Sequence, residues 1–312
     1  MSNVICKACE KEFETERQLH AHLKAHGLLM VEYYQKHFPR HDLHDNKIIK
    51  FKSKNQYLTT DFNSKTNLKL WLKNQPKKEA HEYCVSLLKN RKKNKGLIYS
   101  PSQVELRSIM SPPIQYYEKE LDEYYKLCSG LGFKNKYGNF GEIVSGSEYY
   151  KSEYKIFIDT REQKPLKFER ATEIKTLKFG DYSFSDKDAT CNCYIERKNL
   201  SDFIGTISGG YERFINEIKR SEEAEANLVV LVEDSLQNAM SFPYLPHISK
   251  KIRATPEFIF HRVRTMAQEH PSLQFLFVSG RKESSRIVER IFTCECAYKK
   301  IDLQLAYDKK IL

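Results

Sequence analysis

Apolar and polar positions change their rhythm midway along the chain. Beyond Lys155, short unbroken apolar runs alternate with stretches of helical periodicity. Ile156-Phe157-Ile158, Tyr194-Ile195, Leu228–Val232 and Leu273–Val278 read as strands; Tyr211–Ala226, Ile259–Glu269 and Glu283 to about Tyr298 read as helices. Strands alternating with helices predict an α/β layer with a central mixed sheet. Upstream, the periodicity is helical throughout. Leu28–Phe38 is one helix, stopped by Pro39, and another ends at Arg91-Lys-Lys-Asn-Lys95-Gly96, where cations favour the last turn and glycine the cap. Ser100-Pro101 opens a helix through Met110, Pro112-Pro113 breaks it, and Ile114–Leu127 forms the next. Gly and Asn gather from Gly130 to Gly146 and mark a linker. The pattern divides the chain into residues 1–27, a mainly helical module at 28–129, a linker at 130–152 and an α/β domain at 153–312.

The first 27 residues carry Cys6-x2-Cys9-x3-Phe13-x5-Leu19-x2-His22-x3-His26. This spacing puts two thiolates on a short turn and two imidazoles one helical turn apart, a closed tetrahedral donor set for Zn²⁺. A segment this short buries too little surface to fold by itself, so the ion supplies the missing stability around Phe13 and Leu19. It resembles a zinc finger of the two-Cys, two-His family. His20 falls off the ligand spacing and reads as a surface or packing residue. The finger helix offers Glu16, Gln18 and Lys24, a poor set of base readers, and one finger reads only about three base pairs. Contact with DNA and contact with protein both stay open. The next residues, His26-Gly27-Leu28 and Glu32-Tyr33-Tyr34, are similar to the segment after single fingers in some phage-encoded DNA-binding proteins. His37, His41 and His44 lack a partner thiol and read as solvated loop residues.

In the α/β half, the strand runs deliver acids at their ends: Asp159 after Ile158, and Glu196 after Ile195, with Asp181 between them in sequence. Phosphodiester hydrolysis needs a divalent ion, and hard ions such as Mg²⁺ or Mn²⁺ prefer carboxylate oxygens and water. Lys198 lies two positions beyond Glu196, on the same strand face, where an ammonium can orient water or neutralise charge. The string Gly180-Asp181, Glu196-Arg197-Lys198 and Asp202 resembles the G-D…E-R-K-x-x-x-D signature of the XPF-type structure-specific endonucleases. Asp159-x-Arg161-Glu162 stands where that family carries D-x-R-E. Leu200-Ser-Asp202-Phe203-Ile204-Gly-Thr and Arg213-Phe214-x-x-Glu217 continue the likeness, which covers Lys155 to Gly280. The resemblance implies a restriction-endonuclease-like nuclease core: a hydrolase cutting DNA, at flaps, forks or other branches, in repair, recombination or replication. It implies Mg²⁺ or Mn²⁺ at Asp159, Asp181 and Glu196, Lys198 at the water, Arg161 and Arg197 steadying phosphate or the carboxylates, and Glu162 and Asp202 positioning the others. Relatives usually work as dimers and carry tandem helix-hairpin-helix modules after the nuclease. This chain stops at Leu312, so the N-terminal half is expected to replace that DNA grip, and a homodimer stays an open arrangement.

Charge sharpens this picture. The chain has 52 Lys+Arg against 41 Asp+Glu, a net charge of +11, which favours a polyanionic partner. Residues 51–100 hold 12 Lys/Arg and 3 Asp/Glu, so most of the excess sits in one block. There the cations interleave with Tyr57, Phe62, Trp71, Leu72 and Tyr83, the composition of a small helical module gripping phosphates. Trp71 reads as core and not as a stacking platform. Phe242-Pro-Tyr-Leu-Pro246 to Arg253 is an irregular basic stretch that can approach substrate. The eight cysteines suit a reduced compartment with metal ligation. Cys191-x-Cys193 and Cys294-x-Cys296 are read as small packing cysteines, with a four-thiolate zinc site as the alternative. No run of 18 apolar residues and no leader pattern occurs, so no membrane partner is expected and the location is cytoplasmic, the host cytoplasm if phage-encoded. Three other classes compete: a site-specific homing-type endonuclease, a non-catalytic zinc-finger DNA-binding regulator and a zinc-finger adaptor for proteins.

Overall fold

A computed structural model describes residues 3–121, 123–138, 154–186, 189–293 and 299–312. Most of the linker expected at 130–152, Cys294 and Cys296, and the predicted helix end near Tyr298 lie outside the described residues. The chain divides into two compact units: residues 1–82 with 110–112, and residues 83–109 with 113–312.

The first unit opens with a two-stranded antiparallel hairpin, β1 (Val4–Ile5) and β2 (Glu12–Phe13), followed by α1 (Glu16–His22) and a 3-10 turn (Leu23–His26). Thr15 starts α1 because its side chain accepts from the Gln18 amide while Gln18 bonds back to the Thr15 amide. Gly27, at φ +65°, closes the turn. α2 (Met30–His37), α3 (Lys54–Thr59) and α4 (Lys65–Asn74) follow, and Ser53 and Ser64 cap the last two. Their core is continuous with the finger: Leu19 and Leu23 pack in one buried cluster with Tyr33, Tyr34, Ile49 and Tyr57. The Tyr33 hydroxyl accepts from the Lys7 amide at 2.8 Å, and Tyr34 meets His20 at 3.1 Å. The β1–β2–α1 segment therefore shares its core with α2 and α3 instead of standing on Phe13 and Leu19 alone. Trp71 packs against Phe62, with ring centroids 5.7 Å apart.

α5 (Lys77–Lys95) crosses the boundary between units and ends, as predicted, before Gly96. In the second unit come α6 (Gln103–Arg107), α7 (Ile114–Leu121) and α8 (Tyr124–Gly130). The single helix expected over Ile114–Leu127 is thus two, with Glu123 at φ +48° between them. Polar side chains fix α6 to the α/β part: the Gln103 amide donates to Asp302, Arg107 pairs with Asp308, and Gln268 bonds both Tyr99 and Glu105. Gln103 and Glu105 are buried in doing so.

The sheet has the order β4-β3-β5-β7-β8-β9, with a short β6 (Ala189–Thr190) on β5. β3 (Ile156–Asp159) runs parallel to β4 (Thr172–Lys175); β5 (Tyr182–Asp186) is antiparallel to β3 and β7 (Cys193–Lys198); β8 (Asn227–Val232) and β9 (Leu273–Phe277) continue parallel to β7. This is the mixed α/β sheet expected from the pattern. Alternation along β8 sorts Leu228, Val230 and Val232 to one layer and Val229 and Leu231 to the other. The first layer contains α9 (Leu200–Ser208), α10 (Tyr211–Glu223), the short α11 (Leu236–Met240) and α12 (Pro256–Glu269). The second contains α13 (Arg281–Thr293) and α14 (Leu303–Asp308).

Candidate active site

β7 is the strand on which the site is built. Its pleat puts Tyr194, Glu196 and Lys198 on the α9/α10 face, and Ile195 and Arg197 on the α13 face. Lys198 Nζ donates to Glu196 Oε1 at 2.8 Å and lies 5.8 Å from the Phe214 ring of α10. Asp181 arrives beside Glu196 at the start of β5. Gly180 before it sits at φ +59°, and a Cβ there would come 2.8 Å from the Ile195 carbonyl oxygen, so only glycine lets this turn approach β7. The Asp181 amide donates to Ile195 O at 2.8 Å, and the Arg197 amide donates to Asp181 Oδ2 at 2.7 Å. Burial and the charge of Glu196 push the Asp181 carboxyl up to about 7, against the pull of the Arg197 amide.

Glu217 stands near enough to Glu196 to feel its charge, although it was not among the site residues expected from sequence. Burial, and then the charge of Glu196, raise its carboxyl above the usual range. The legible signal was the Arg213-Phe214-x-x-Glu217 spacing, which sets Glu217 one helical turn beyond the buried Phe214.

Asp159 has a different environment. Its carboxylate is buried and accepts from the Arg161 amide, Arg161 Nε, Arg161 Nη2 and the Leu177 amide at 2.8, 2.6, 3.1 and 2.7 Å. These bonds hold its carboxyl below the usual range in spite of burial. Arg197 and Glu162 lie on the α13 side, where the Arg197 guanidinium is shared between Glu162 and Glu233, each at 2.9 Å. Asp202 is exposed in the first turn of α9 and bonds only locally to the capping Asn199, at 2.6 Å to its side chain and 2.9 Å from its own amide.

Among the described residues, the one group of three or more Cys, His, Asp or Glu whose ligand atoms all lie within 4.8 Å of one another is Cys6, Cys9, His22 and His26. Cys9 Sγ and His22 Nε2 are 3.3 Å apart, Cys6 Sγ and His26 Nε2 3.7 Å, and the two Nε2 atoms 3.0 Å. Donors about 2.3 Å (S) and 2.0–2.1 Å (N) from a tetrahedral zinc ion stand roughly this far apart, so the set fits zinc. Asp159, Asp181 and Glu196 do not converge that tightly. Asp181 and Glu196 alone form a pair of hard oxygen donors whose mutual repulsion a divalent cation would relieve, so they fit Mg²⁺ or Mn²⁺.

Residues 158–291 match the ERCC4 domain. The ERCC4 span covers less than half of the 312 residues; it starts in β3, ends within α13, and contains every site residue on the sheet described above. XPF from Aeropyrum pernix is similar in structure, with 17% identity and a TM-score of 0.35 over 46% of this chain and 68% of that one. XPF from Aeropyrum pernix in complex with DNA gives 18% identity and a TM-score of 0.33 over 50% and 66%. No curated protein sequence matches the chain. No helix among the described residues is long and apolar enough to cross a membrane.

Proposed function

We propose that the chain is a divalent-metal-dependent DNA endonuclease acting on flap, fork or other branched DNA, as repair, recombination or replication would require. The observation that carries this reading is the pairing of Asp181 and Glu196 beside Lys198 inside the ERCC4 span. Asp181 and Glu196 would hold Mg²⁺ or Mn²⁺, with Glu217 adding negative charge nearby. Such an ion, when bound, polarises the phosphoryl oxygen and makes water a better nucleophile. Lys198 fixes Glu196 and offers its remaining protons to the attacking water or to the phosphate charge that develops. Asp159 holds Arg161, whose largely exposed side chain would be open to a phosphate. Asp202 acts through the cap of α9, and Arg197 and Glu162 through each other.

The N-terminal unit would supply the DNA grip. Residues 1–27 balance four Lys/Arg against four Asp/Glu, so the finger has no charge excess of its own. α4, by contrast, exposes Lys65, Lys69 and Lys73 at four-residue spacing, on the face beside the one that buries Leu68 and Leu72. Phosphate contacts from such a row carry no sequence information, which favours recognition by shape and branch. Zn²⁺ at Cys6, Cys9, His22 and His26 would act as a structural ion.

The test is purified full-length chain with Mg²⁺ or Mn²⁺ and linear, flap, fork and four-way DNA of unrelated sequences. Flaps and forks should be cut faster than matched linear duplex. Asp181→Asn and Lys198→Ala should each slow cutting about 100-fold or more, with DNA affinity within a few fold. Clean cutting of one linear sequence with all branches inert would replace this reading by a site-specific enzyme. Binding without cutting under either metal would leave a non-catalytic regulator.

A further inference from the structure

The α13 side of β7 carries a closed ring of charges that the motif residues only half account for. Arg197 Nη2 and Nε donate to Glu162 at 2.9 and 3.2 Å, and Arg197 Nη1 donates to Glu233 Oε2 at 2.9 Å. Glu233 follows directly on β8, and its own amide donates to the Lys198 carbonyl at 2.8 Å. Its second oxygen, Oε1, is buried without a hydrogen bond and faces Arg281 Nη1 at 3.6 Å. Arg281, the first residue of α13, also donates from Nη2 to the carbonyls of Lys164 and Pro165, in the loop that carries Glu162. Loop, Arg281, Glu233, Arg197 and Glu162 thus form one circuit. Side-chain exposures of 13%, 6% and 10% at Arg197, Glu162 and Glu233 place most of it away from water, where removing a partner is costly.

We infer that Glu233 and Arg281 are positioning residues of the nuclease site, an inference that rests on the nuclease reading. Neither reaches the Asp181 and Glu196 pair. Glu233 holds the Arg197 guanidinium directly and Arg281 holds Glu233, and the Arg197 backbone amide, 2.7 Å from Asp181 Oδ2, sets the direction of that carboxylate. With two carboxylates on one guanidinium, the ring carries an excess negative charge that Arg281 balances. Loss of Glu233 leaves the Arg197 guanidinium held from the Glu162 side only, and loss of Arg281 leaves Glu233 unbalanced beside it; either loosens Arg197, lets its backbone shift and turns Asp181 away from Glu196. Residues that orient ligands in this way typically alter metal affinity or activity about 10–100-fold when replaced.

The experiment compares full-length wild type with Glu233→Gln, Arg281→Ala and Arg281→Lys. It measures cleavage kinetics on a flap substrate, DNA affinity, Mn²⁺ binding by calorimetry without DNA, and melting temperature without added Mn²⁺. Glu233→Gln and Arg281→Ala should lower kcat about tenfold or more and weaken Mn²⁺ binding to a similar degree, with KM and DNA affinity within about twofold. Arg281→Lys should recover part of both losses. Arg281 is half-exposed, so its variants keep the test alive if Glu233→Gln folds poorly. Unchanged kcat and Mn²⁺ affinity in both variants would overturn the inference. So would losses that track melting temperature alone with no recovery in Arg281→Lys, or a wild type that binds no Mn²⁺. A wild type that binds Mn²⁺ but cuts no DNA would defeat the nuclease reading, while a weakened Mn²⁺ affinity in the variants would still support the positioning role.

Discussion

At the scale of single residues, burial separates groups that look alike in sequence. Asp159 and Asp181 both follow strand-edge motifs, yet one is saturated by four donors and the other is left beside Glu196 with a single amide. Asp302 shows the same effect outside the site. It caps α14, accepts from the Gln103 amide at 2.6 Å and the Leu305 amide at 3.0 Å, and burial pushes its carboxyl up to about 6. A carboxyl raised above its unfolded value binds its proton more tightly in the native state. Its contribution is therefore complete below about pH 4 and disappears as pH rises through about 6. Asp302→Asn removes this titration. The stability of the variant relative to wild type, measured by denaturant unfolding, should rise by up to about 3 kcal/mol between pH 4 and pH 7, whatever constant offset the missing cap bond adds. A difference independent of pH would mean that Asp302 stays ionised when buried.

At the scale of elements, two helices show how much a basic sequence conceals. The block over residues 51–100 reads as uniformly cationic, but the structure uses its cations differently. On α5, Lys92 donates to the carbonyls of Leu131 and Gly132 and closes the end of α8, and Arg91 is largely buried, its guanidinium made less basic by that burial. On α4 the lysines stand on the exposed side. The exposed lysines of α4, together with those of α5 other than Lys92, should therefore carry the salt dependence of DNA binding. Replacing Lys69 and Lys73 together by Ala should reduce the slope of log K against log salt by about 0.9 for each phosphate no longer neutralised, at unchanged melting temperature. Replacing Lys92 should instead lower the melting temperature. An unaltered slope in the α4 variant would move the phosphate grip elsewhere.

At the scale of the whole molecule, the shared core of the first unit extends the reach of the Cys6, Cys9, His22 and His26 donor set. Tyr33, Tyr34, Ile49 and Tyr57 pack against finger residues, and Lys54 pairs with Glu16, so α2 and α3 depend on the finger's geometry. Chelation of zinc, or His22→Ala, should increase hydrogen exchange through about residue 59 and not only through residue 26. Exchange in β7 and β8 should be unchanged, since those strands have their own core in the second unit. Protection of α2 and α3 that survives chelation would show that the tyrosine cluster folds without the ion.

Sequence alone determined the features set by local spacing. The Cys6, Cys9, His22 and His26 donor set, the apolar runs of β3, β7, β8 and β9, and the end of α5 at Gly96 all come from residues near one another in the chain, whose periodicity and conformational preferences act wherever they are placed. The ordered Gly180-Asp181, Glu196-Arg197-Lys198 string was legible for the same reason, since Gly180 is required by one close approach to Ile195. Only the tertiary structure decided how the environments of the acids differ. Glu217 feels the charge of Glu196 because α10 packs across β8, the neighbour of β7, and Glu233 reaches Arg197 because β8 runs parallel to β7 and ends beside it. It also placed α6 with the α/β unit, through Gln103 and Asp302, residues almost 200 positions apart. Such pairings depend on desolvation and on approaches across the sheet, and neither is encoded in the spacing of residues along the chain.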